Sequence, residues 1–392
     1  MTDAARESVE SALELDRVES HLNPPASYAL GDHPIPTGRE EIWRFTPLKR
    51  LRGILEGEAS TDRLTWETSL PEGATLTEIG VDEARELGEL APNDRPSALA
   101  AANAGQSLLL DIPAEAELSE PIVLRLHGES IDDLVWGRLV VRAGRFSKAT
   151  VVITHTGSAR YSAITTVLVG DGADLNVLTL QDWDDDAVHL GRDAIRVGRD
   201  ARVKHTSISF GGDLVRMHAN VEYAGPGGDA ELLGLYFADE GQHLEHRLFA
   251  DHTAPKTKSH VVYKGALQGE GAHTVWIGNV LIRKVAEGIE TYEENRNLVL
   301  SDGCQADSVP NLEIETGEIE GAGHASATAR FDDEQLFYLR SRGVSEKEAR
   351  RLVVHGFFND LIRKVGIPSV EEQLLATVEA ELAKNVLKDA IS

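Results

Sequence analysis

Two side chains able to bind a transition metal lie in the last third of the sequence. Cys304, the only cysteine, sits in the turn-like segment SDGCQAD, and His324 follows twenty residues later in GAGHASAT. Thiolate and imidazole groups are common metal ligands, but a lone cysteine is more often a small buried apolar residue. One cysteine cannot build a four-thiolate site, so a metal held by Cys304 needs histidine, carboxylate or a second chain.

The other reactive side chains match no catalytic motif. His243, His246 and His252 are close in sequence, yet residues three apart on a strand face opposite sides, so His243 and His246 cannot share a metal. Glu313 and Glu315 alternate along NLEIE, as expected of a solvated strand face. The chain contains no phosphate-binding loop, dinucleotide fingerprint or nucleophile elbow. We therefore expect no catalytic residues and no bound nucleotide.

Composition limits the partners and the location. The net charge of −26 comes from 65 acidic and 39 basic residues, and the basic residues form no stripe, which argues against nucleic acid. Acidic residues spread along the chain, with Arg outnumbering Lys, predict a surface adapted to high salt and a halophilic source. A single cysteine fits a reducing compartment. Without a long apolar run or a secretory signal, we expect a cytoplasmic protein with no membrane partner.

The pattern of apolar residues predicts three regions. Residues 1–105 are expected to be mostly helical, with helices over 4–22, 81–90 and 95–104, and Trp43, Phe45 and Leu48 anchoring them to the main body. Residues 106–330 consist of short β-type runs separated by Gly, Asp and Asn, with no long helix between them. A sandwich, an antiparallel barrel and a β-solenoid fit this pattern, and the length of the series favours the solenoid.

Residues 331–392 predict a helical region. Capping motifs at Asp332, Ser345 and Ser369 indicate three helix starts. We expect the helical regions at both ends of the chain to cover the open ends of the solenoid, and the C-terminal one to dock another protein.

Several segments of the sequence are distinctive. They are VPNLEIE, GHASAT and EQLFYLRSRGVSEKEARRLVVHGFF in the C-terminal part, with REEIWRFTPLKRL and DHTAPKTKSHVVYKGAL before them. These segments resemble the SufB/SufD family of iron–sulfur cluster assembly scaffolds. The resemblance runs from about residue 38 to residue 365. It implies a mainly β fold, a right-handed parallel β-helix flanked by N-terminal and C-terminal helical regions.

The resemblance also implies partners. A family member of this kind is a non-catalytic scaffold that pairs through its β-helix with SufB, or with a second copy of itself. Its C-terminal helices bind a SufC-type ABC ATPase, which supplies nucleotide hydrolysis. A nascent iron–sulfur cluster or iron is held transiently and shared with the partner chain. The residues expected to dock the ATPase are Leu336, Phe337, Tyr338, Arg340, Arg342 and Phe357.

Within the family the chain is most similar to SufD. It is short for SufB, has no N-terminal CxxC motif, and carries Ala325 after His324 where SufB proteins have Glu. Cys304 stands at the position of the SufB assembly cysteine, whereas Ala322 replaces a cysteine that many SufD proteins carry. His324 and Cys304 are therefore the candidate cluster or iron ligands at the SufB–SufD interface. The alternatives are a SufB-like cluster-bearing scaffold, a paralogue that holds the ATPase without binding metal, and a polysaccharide-active β-helix enzyme.

Overall fold

The structure, a computed structural model, describes residues 25–331 and 333–389. The side chains of 333–336, 347 and 384–389 also fall outside the description. The helix predicted over residues 4–22 and the cap predicted at Asp332 therefore lie outside the described residues.

Strands are the most abundant secondary structure of the described chain. They are β1 (Thr65–Ser69), β2 (Thr75–Ile79), β3 (Ser107–Ile112), β4 (Ile122–Ala143), β5 (Lys148–Val169), β6 (Asp174–Trp183), β7 (Val188–Val197), β8 (Arg202–Ser209), β9 (Leu214–Tyr223), β10 (Asp229–Ala238), β11 (His243–His252), β12 (Lys258–Leu267), β13 (His273–Ile282), β14 (Glu290–Val299), β15 (Gln305–Ile314) and β16 (Gly321–Arg330).

These strands wind into a parallel β-solenoid. From β6 onward each strand pairs in parallel with the second strand after it, so even-numbered strands form one face and odd-numbered strands the other. The long strand β5 joins the faces, since its first half pairs with β6 and its second half with β7. Paired residues on neighbouring coils are 26 to 32 positions apart in sequence. The predicted solenoid is confirmed, and the sandwich and the antiparallel barrel are wrong because the coils pair in parallel.

Period-two alternation explains the core of the solenoid. Leu175, Val203 and Ala230 occupy the same rung on three successive coils of the even face and are almost completely buried. In-register residues of parallel strands point to the same side, so such rungs stack into an apolar column inside the coils. The alternate residues on the same strands point outward and are available to contact the helices.

The helices are α1 (Val81–Glu86), α2 (Arg95–Asn103), α3 (Asp333–Ser341), α4 (Glu346–Val365) and α5 (Pro368–Asp389), with short 3₁₀ helices at Leu30–Asp32, Glu41–Trp43, Leu48–Leu51 and Ile54–Glu56. Ser345 caps α4 as predicted, because its Oγ accepts a hydrogen bond of 3.2 Å from the Glu348 N–H. The cap predicted at Ser369 is wrong, since α5 already begins at Pro368. No helix in the described residues is long and apolar enough to span a membrane.

The C-terminal helices pack on the side of the solenoid. Phe358 and Leu361 of α4 are buried against outward-facing residues of the even strands, among them Ile208, Leu235 and Phe237. The expectation that this region covers the open end of the solenoid is therefore wrong. The physical reason is that the outer side of the even strands is apolar over several coils and buries the apolar stripe of the helices there.

The N-terminal segment covers the opposite side and the first coil. Strands β1 and β2 pair antiparallel with β4 and β3, which closes the edge of the sheet at the start of the solenoid. Trp43 is 3% exposed and packs in one cluster with Leu190 of β7 and Leu214 of β9. The predicted aromatic anchor is confirmed at Trp43.

A buried cluster of charged side chains holds Trp43 in place. The Arg216 guanidinium lies 4.2 Å from the centre of the Trp43 ring and donates to Asp94 at 3.1 Å and to Glu245 at 3.2 Å. Thr46 donates to the other oxygen of Glu245 at 2.7 Å. Burial alone would raise the pKa of Asp94, but Arg216, His218 and the hydrogen bonds from Ser97 together outweigh it, and the pKa falls to about 2. The pKa of Glu245 is also held well below its usual range, mainly by Arg216 against the effect of burial.

We expect Arg216→Met to lower the free energy of unfolding by about 3–5 kcal/mol, because it leaves Asp94 and Glu245 buried without their main cation. Urea denaturation measures the change. The control is Arg202→Met, since that side chain is 74% exposed and 4.0 Å from Asp229, and the change should stay within about 0.5 kcal/mol.

The pH dependence gives a second check on the same cluster. Carboxylates with lowered pKa values stabilise the fold above their unfolded pKa, and this stability is lost as they are protonated. The wild-type protein should therefore lose stability as the pH falls from about 4 towards 2, and Arg216→Met should lose less over that range. Equal losses in both proteins would contradict the role of Arg216.

Candidate functional site

The last coil of the solenoid has an open edge. Within the described ranges, β15 pairs only with β13 and β16 only with β14, so no strand covers their outer edges. The residues from His324 to Arg330 of β16 are exposed. Pro310 lies within β15, and proline, which has no N–H to donate, is characteristic of edge strands. The terminal coil thus presents unpaired backbone groups.

His324 lies on the inward-facing rung of this coil. A single ladder of paired residues runs through Val151, Val177, His205, Leu232, Val261, Glu293 and His324. The imidazole is exposed because no further coil follows it, and its neighbours Gly323 and Ala325 are too small to cover it. The histidine therefore stands at the mouth of the solenoid interior.

Glu293, one coil below His324, is a residue that our sequence analysis missed. It is 1% exposed, and neither carboxylate oxygen has a hydrogen-bond partner among the described residues. Burial raises its pKa to about 8. Its signal in the sequence is the alternation of Glu293, Asn295 and Asn297 along β14, which places all three on one face. In so acidic a chain, that alternation does not distinguish an inward face from a solvated one.

Cys304 lies at the corner between β14 and β15 and is half-buried. Its Sγ donates to the carbonyl oxygen of Gly269 at 3.2 Å and lies 3.5 Å from Ser301 Oγ. Burial raises the pKa of the thiol, and the hydrogen bond from Ser301 only partly offsets this. Binding of a metal through the Cys304 thiolate would therefore have to overcome this raised pKa, which a bound metal ion or a positive charge from a partner would do.

The two predicted ligands are far apart within one chain. Arg330, at the end of β16, is 2.9 Å from Asp302 in the corner that holds Cys304. His324 precedes Arg330 by six residues on the same strand, which corresponds to about 20 Å. Over the described part of the chain, no three ligating side chains form a cluster suited to a metal ion. A cluster that has both Cys304 and His324 as ligands would thus have to take these two side chains from two different chains.

The predicted docking residues divide into two groups. Phe337 is 74% exposed and Tyr338 55%, with the Arg342 guanidinium 4.8 Å from the Tyr338 ring centre. Arg340 forms an ion pair of 3.5 Å with Glu346 at the start of α4. These side chains of α3 face solvent and are available for contact.

Phe357 differs from the exposed group. Its ring is half-buried, with its centre 5.0 Å from that of Phe358 and 5.2 Å from the Lys264 ammonium. It therefore contributes to the attachment of α4 to the solenoid. The side chain of Leu336 lies outside the described residues.

Residues 125–357 match the family model described as the SUF system FeS cluster assembly SufBD core domain. The chain belongs to the SufBD family. An iron–sulfur cluster assembly SufBD family protein of Mycobacterium tuberculosis is 50% identical over 365 residues, which cover 91% of this chain and 92% of the relative. A SufBD family protein of Mycobacterium leprae is 48% identical over 365 residues, covering 91% of this chain and 93% of its own length.

A more distant SufBD family protein, from Staphylococcus aureus, is 25% identical over 276 residues, covering 69% of this chain and 59% of the relative. The resemblance stated from the sequence motifs is thus confirmed at the level of the SufBD family. The assignment to SufD and the halophilic source remain predictions, and the relatives compared are mycobacterial and staphylococcal.

Alkylation of Cys304 tests its environment. We expect iodoacetamide to react more slowly with the folded chain than with the chain in urea, with a rate midpoint at higher pH, because burial raises the pKa of the thiol. Mass spectrometry over a pH series measures the rate, and Cys304→Ser provides the blank since the chain has no other cysteine. A midpoint below that of the unfolded chain would show an activated thiolate instead.

Proposed function

We propose that this chain is a SufD-like, non-catalytic scaffold subunit of an iron–sulfur cluster assembly complex in the cytoplasm. It pairs with a SufB-type chain, or with a second copy of itself, through the open coil formed by β15 and β16. It binds a SufC-type ABC ATPase through α3 and α4. His324 and Cys304 are its candidate ligands for a nascent cluster or for iron, which is the cargo of the complex.

The observation that carries the proposal is the open edge of β15 and β16 with His324 exposed on it. An exposed edge strand favours pairing with another chain, and native proteins cover or charge such edges. Here β16 is built largely of Gly, Ala, Ser and Thr, which allow a second strand to approach closely. Pairing of two open coils would bury the edge and bring His324 against the partner.

The chemistry of the two ligands agrees with this arrangement. Iron–sulfur centres take thiolate and imidazole ligands held on a rigid framework. Because His324 lies about 20 Å along β16 from Arg330, which contacts the corner that holds Cys304, each ligand would meet ligands from the partner. The family membership favours cluster assembly over the alternative of a polysaccharide-active enzyme.

The support for an ATPase partner lies in α3 and in Arg342 just after it. Phe337, Tyr338 and Arg342 form an exposed patch of aromatic and arginine side chains, the residue types that dominate the energy of protein interfaces. The chain itself contains no nucleotide-binding motif, so a complex driven by ATP needs the nucleotide site on another subunit.

His324→Ala tests the ligand role. We expect the variant to co-purify with its SufB-type and SufC-type partners as the wild type does, while the complex loses most of its visible absorption on anaerobic cluster reconstitution. His260→Ala is the matched control, because that histidine is exposed on the outer face of β12. Normal cluster formation by His324→Ala would show that His324 is not a ligand.

Phe337→Ala combined with Tyr338→Ala tests the docking role. We expect the double variant to lose at least about tenfold in affinity for the ATPase, because two exposed aromatic anchors are removed, while pairing with the SufB-type chain is retained. Surface plasmon resonance measures both interactions. Leu352→Ala, on the exposed face of α4, is the control for loss of apolar surface elsewhere. Unchanged ATPase binding would place the docking surface outside α3.

A SufB-like, cluster-bearing role is the second candidate, favoured by the position of Cys304 at a corner next to the open coil. Cys304→Ser separates the two roles. Loss of cluster formation with this variant would support a SufB-like role with Cys304 as a ligand, whereas normal cluster formation would remove Cys304 from the candidate ligands and leave a SufD-like chain that contributes His324.

A further inference from the structure

The interior of the solenoid ends in a group of polar side chains that the protein does not satisfy. Both oxygens of Glu293, the indole Nε1 of Trp276 and the hydroxyl of Ser308 are buried without a hydrogen-bond partner among the described residues. Asn295 and Asn297, on the same face of β14, are by contrast bonded to Tyr236 at 2.8 Å. Other interior polar atoms, such as both ring nitrogens of His246, also lack a partner, but among the described residues Glu293 is the buried carboxylate with neither oxygen hydrogen-bonded.

Space for the carboxylate is provided by the opposite strand. A Cβ placed on Gly278 of β13 would lie 2.8 Å from Glu293 Oε1 and 2.4 Å from the Trp276 ring, so no larger residue fits there without displacement. The Glu293 side chain therefore reaches across the interior and lies against the backbone of Gly278. This cradle holds a carboxylate in place and supplies no donor to it.

A buried carboxylate without a partner is costly, and proteins usually pair such groups or use them to bind a cation. Glu293 is the register partner of His324, and paired residues on parallel strands direct their side chains to the same side. Within the described residues, the ladder position above Glu293 on the even face is that of His324, which is open to solvent. The imidazole of His324 and the carboxylate of Glu293 thus occupy the same ladder position on adjacent coils, at the solvent-accessible end of the solenoid interior.

We propose that Glu293 and His324 together bind one divalent transition-metal ion, of the class of ferrous iron, at the open end of the solenoid. Imidazole and carboxylate ligands suit Fe²⁺, and two protein ligands leave positions for water, sulfide or a partner's side chain. The described residues offer no third ligating side chain at this point, so the site is built for transfer of the ion rather than for permanent storage. The choice of iron as the metal rests on the proposed function, whereas the binding site itself does not.

Anaerobic titration of the purified chain with Fe²⁺ tests the site, followed by calorimetry and repeated with Co²⁺, whose absorption spectrum reports its ligands. We expect one ion per chain. Glu293→Gln, a neutral substitution of the same shape, should weaken binding at least about tenfold, and His324→Ala should do the same. The double variant should show no saturable binding of one ion per chain, because both protein ligands of the ion are then gone.

Two matched controls exclude adventitious binding to an acidic surface. Glu290→Gln removes an exposed carboxylate from the same strand, and His260→Ala removes an exposed outward imidazole from β12. Both should bind Fe²⁺ within about twofold of the wild type. Thermal unfolding shows that each variant is folded, and added Fe²⁺ should raise the midpoint of the wild type and not that of Glu293→Gln.

The outcomes separate this site from the proposed function. Wild-type affinity in Glu293→Gln, or equal weakening by Glu290→Gln, overturns the Glu293 site, even if His324→Ala abolishes cluster assembly in the complex. Loss of Fe²⁺ binding in Glu293→Gln supports the site. If cluster assembly then proceeds normally with His324→Ala, the site stands and the proposed role of His324 in assembly fails.

Discussion

Parallel in-register pairing between coils is the constraint on which the rest of this structure depends. Each coil repeats the orientation of the one before it. The position of a residue in the ladder, and not its local sequence, therefore decides whether its side chain points into the core or outward. The ladder that begins with buried Val151 reaches Glu293 and ends at exposed His324. One pairing rule therefore builds the apolar core and also places a carboxylate and an imidazole at its open end.

Different segments of the described chain cover the two faces of the solenoid. The even face is covered by α4 and α5 through apolar contacts, and the odd face by the N-terminal segment, whose anchor includes the buried Arg216 cluster. The first coil is closed by antiparallel strands. Since both flanks and the first coil are covered, the edge of β15 and β16 is where the described chain can extend its sheet.

The candidate site was predictable in part. His324 and Cys304 were identifiable as residue types and from motifs that resemble the family, and the solenoid followed from the long series of short β-type runs. The distance between them was not predictable, since it depends on which corner of which coil each residue occupies. The burial of Glu293 was hidden for a related reason, because an acidic residue in an acidic chain is indistinguishable from a surface residue until its rung is known.

By itself the sequence determined the strand character of residues 106–330, the helix starts such as Ser345, and membership of the SufBD family, because these depend on local pattern and on motifs. Only the tertiary structure decided where the C-terminal helices pack, because an apolar stripe on a helix does not specify which apolar face it will cover. It also decided that Cys304 and His324 are separated and that Glu293 lies beneath the histidine. Those relations join residues about thirty positions apart and arise only when the coils stack.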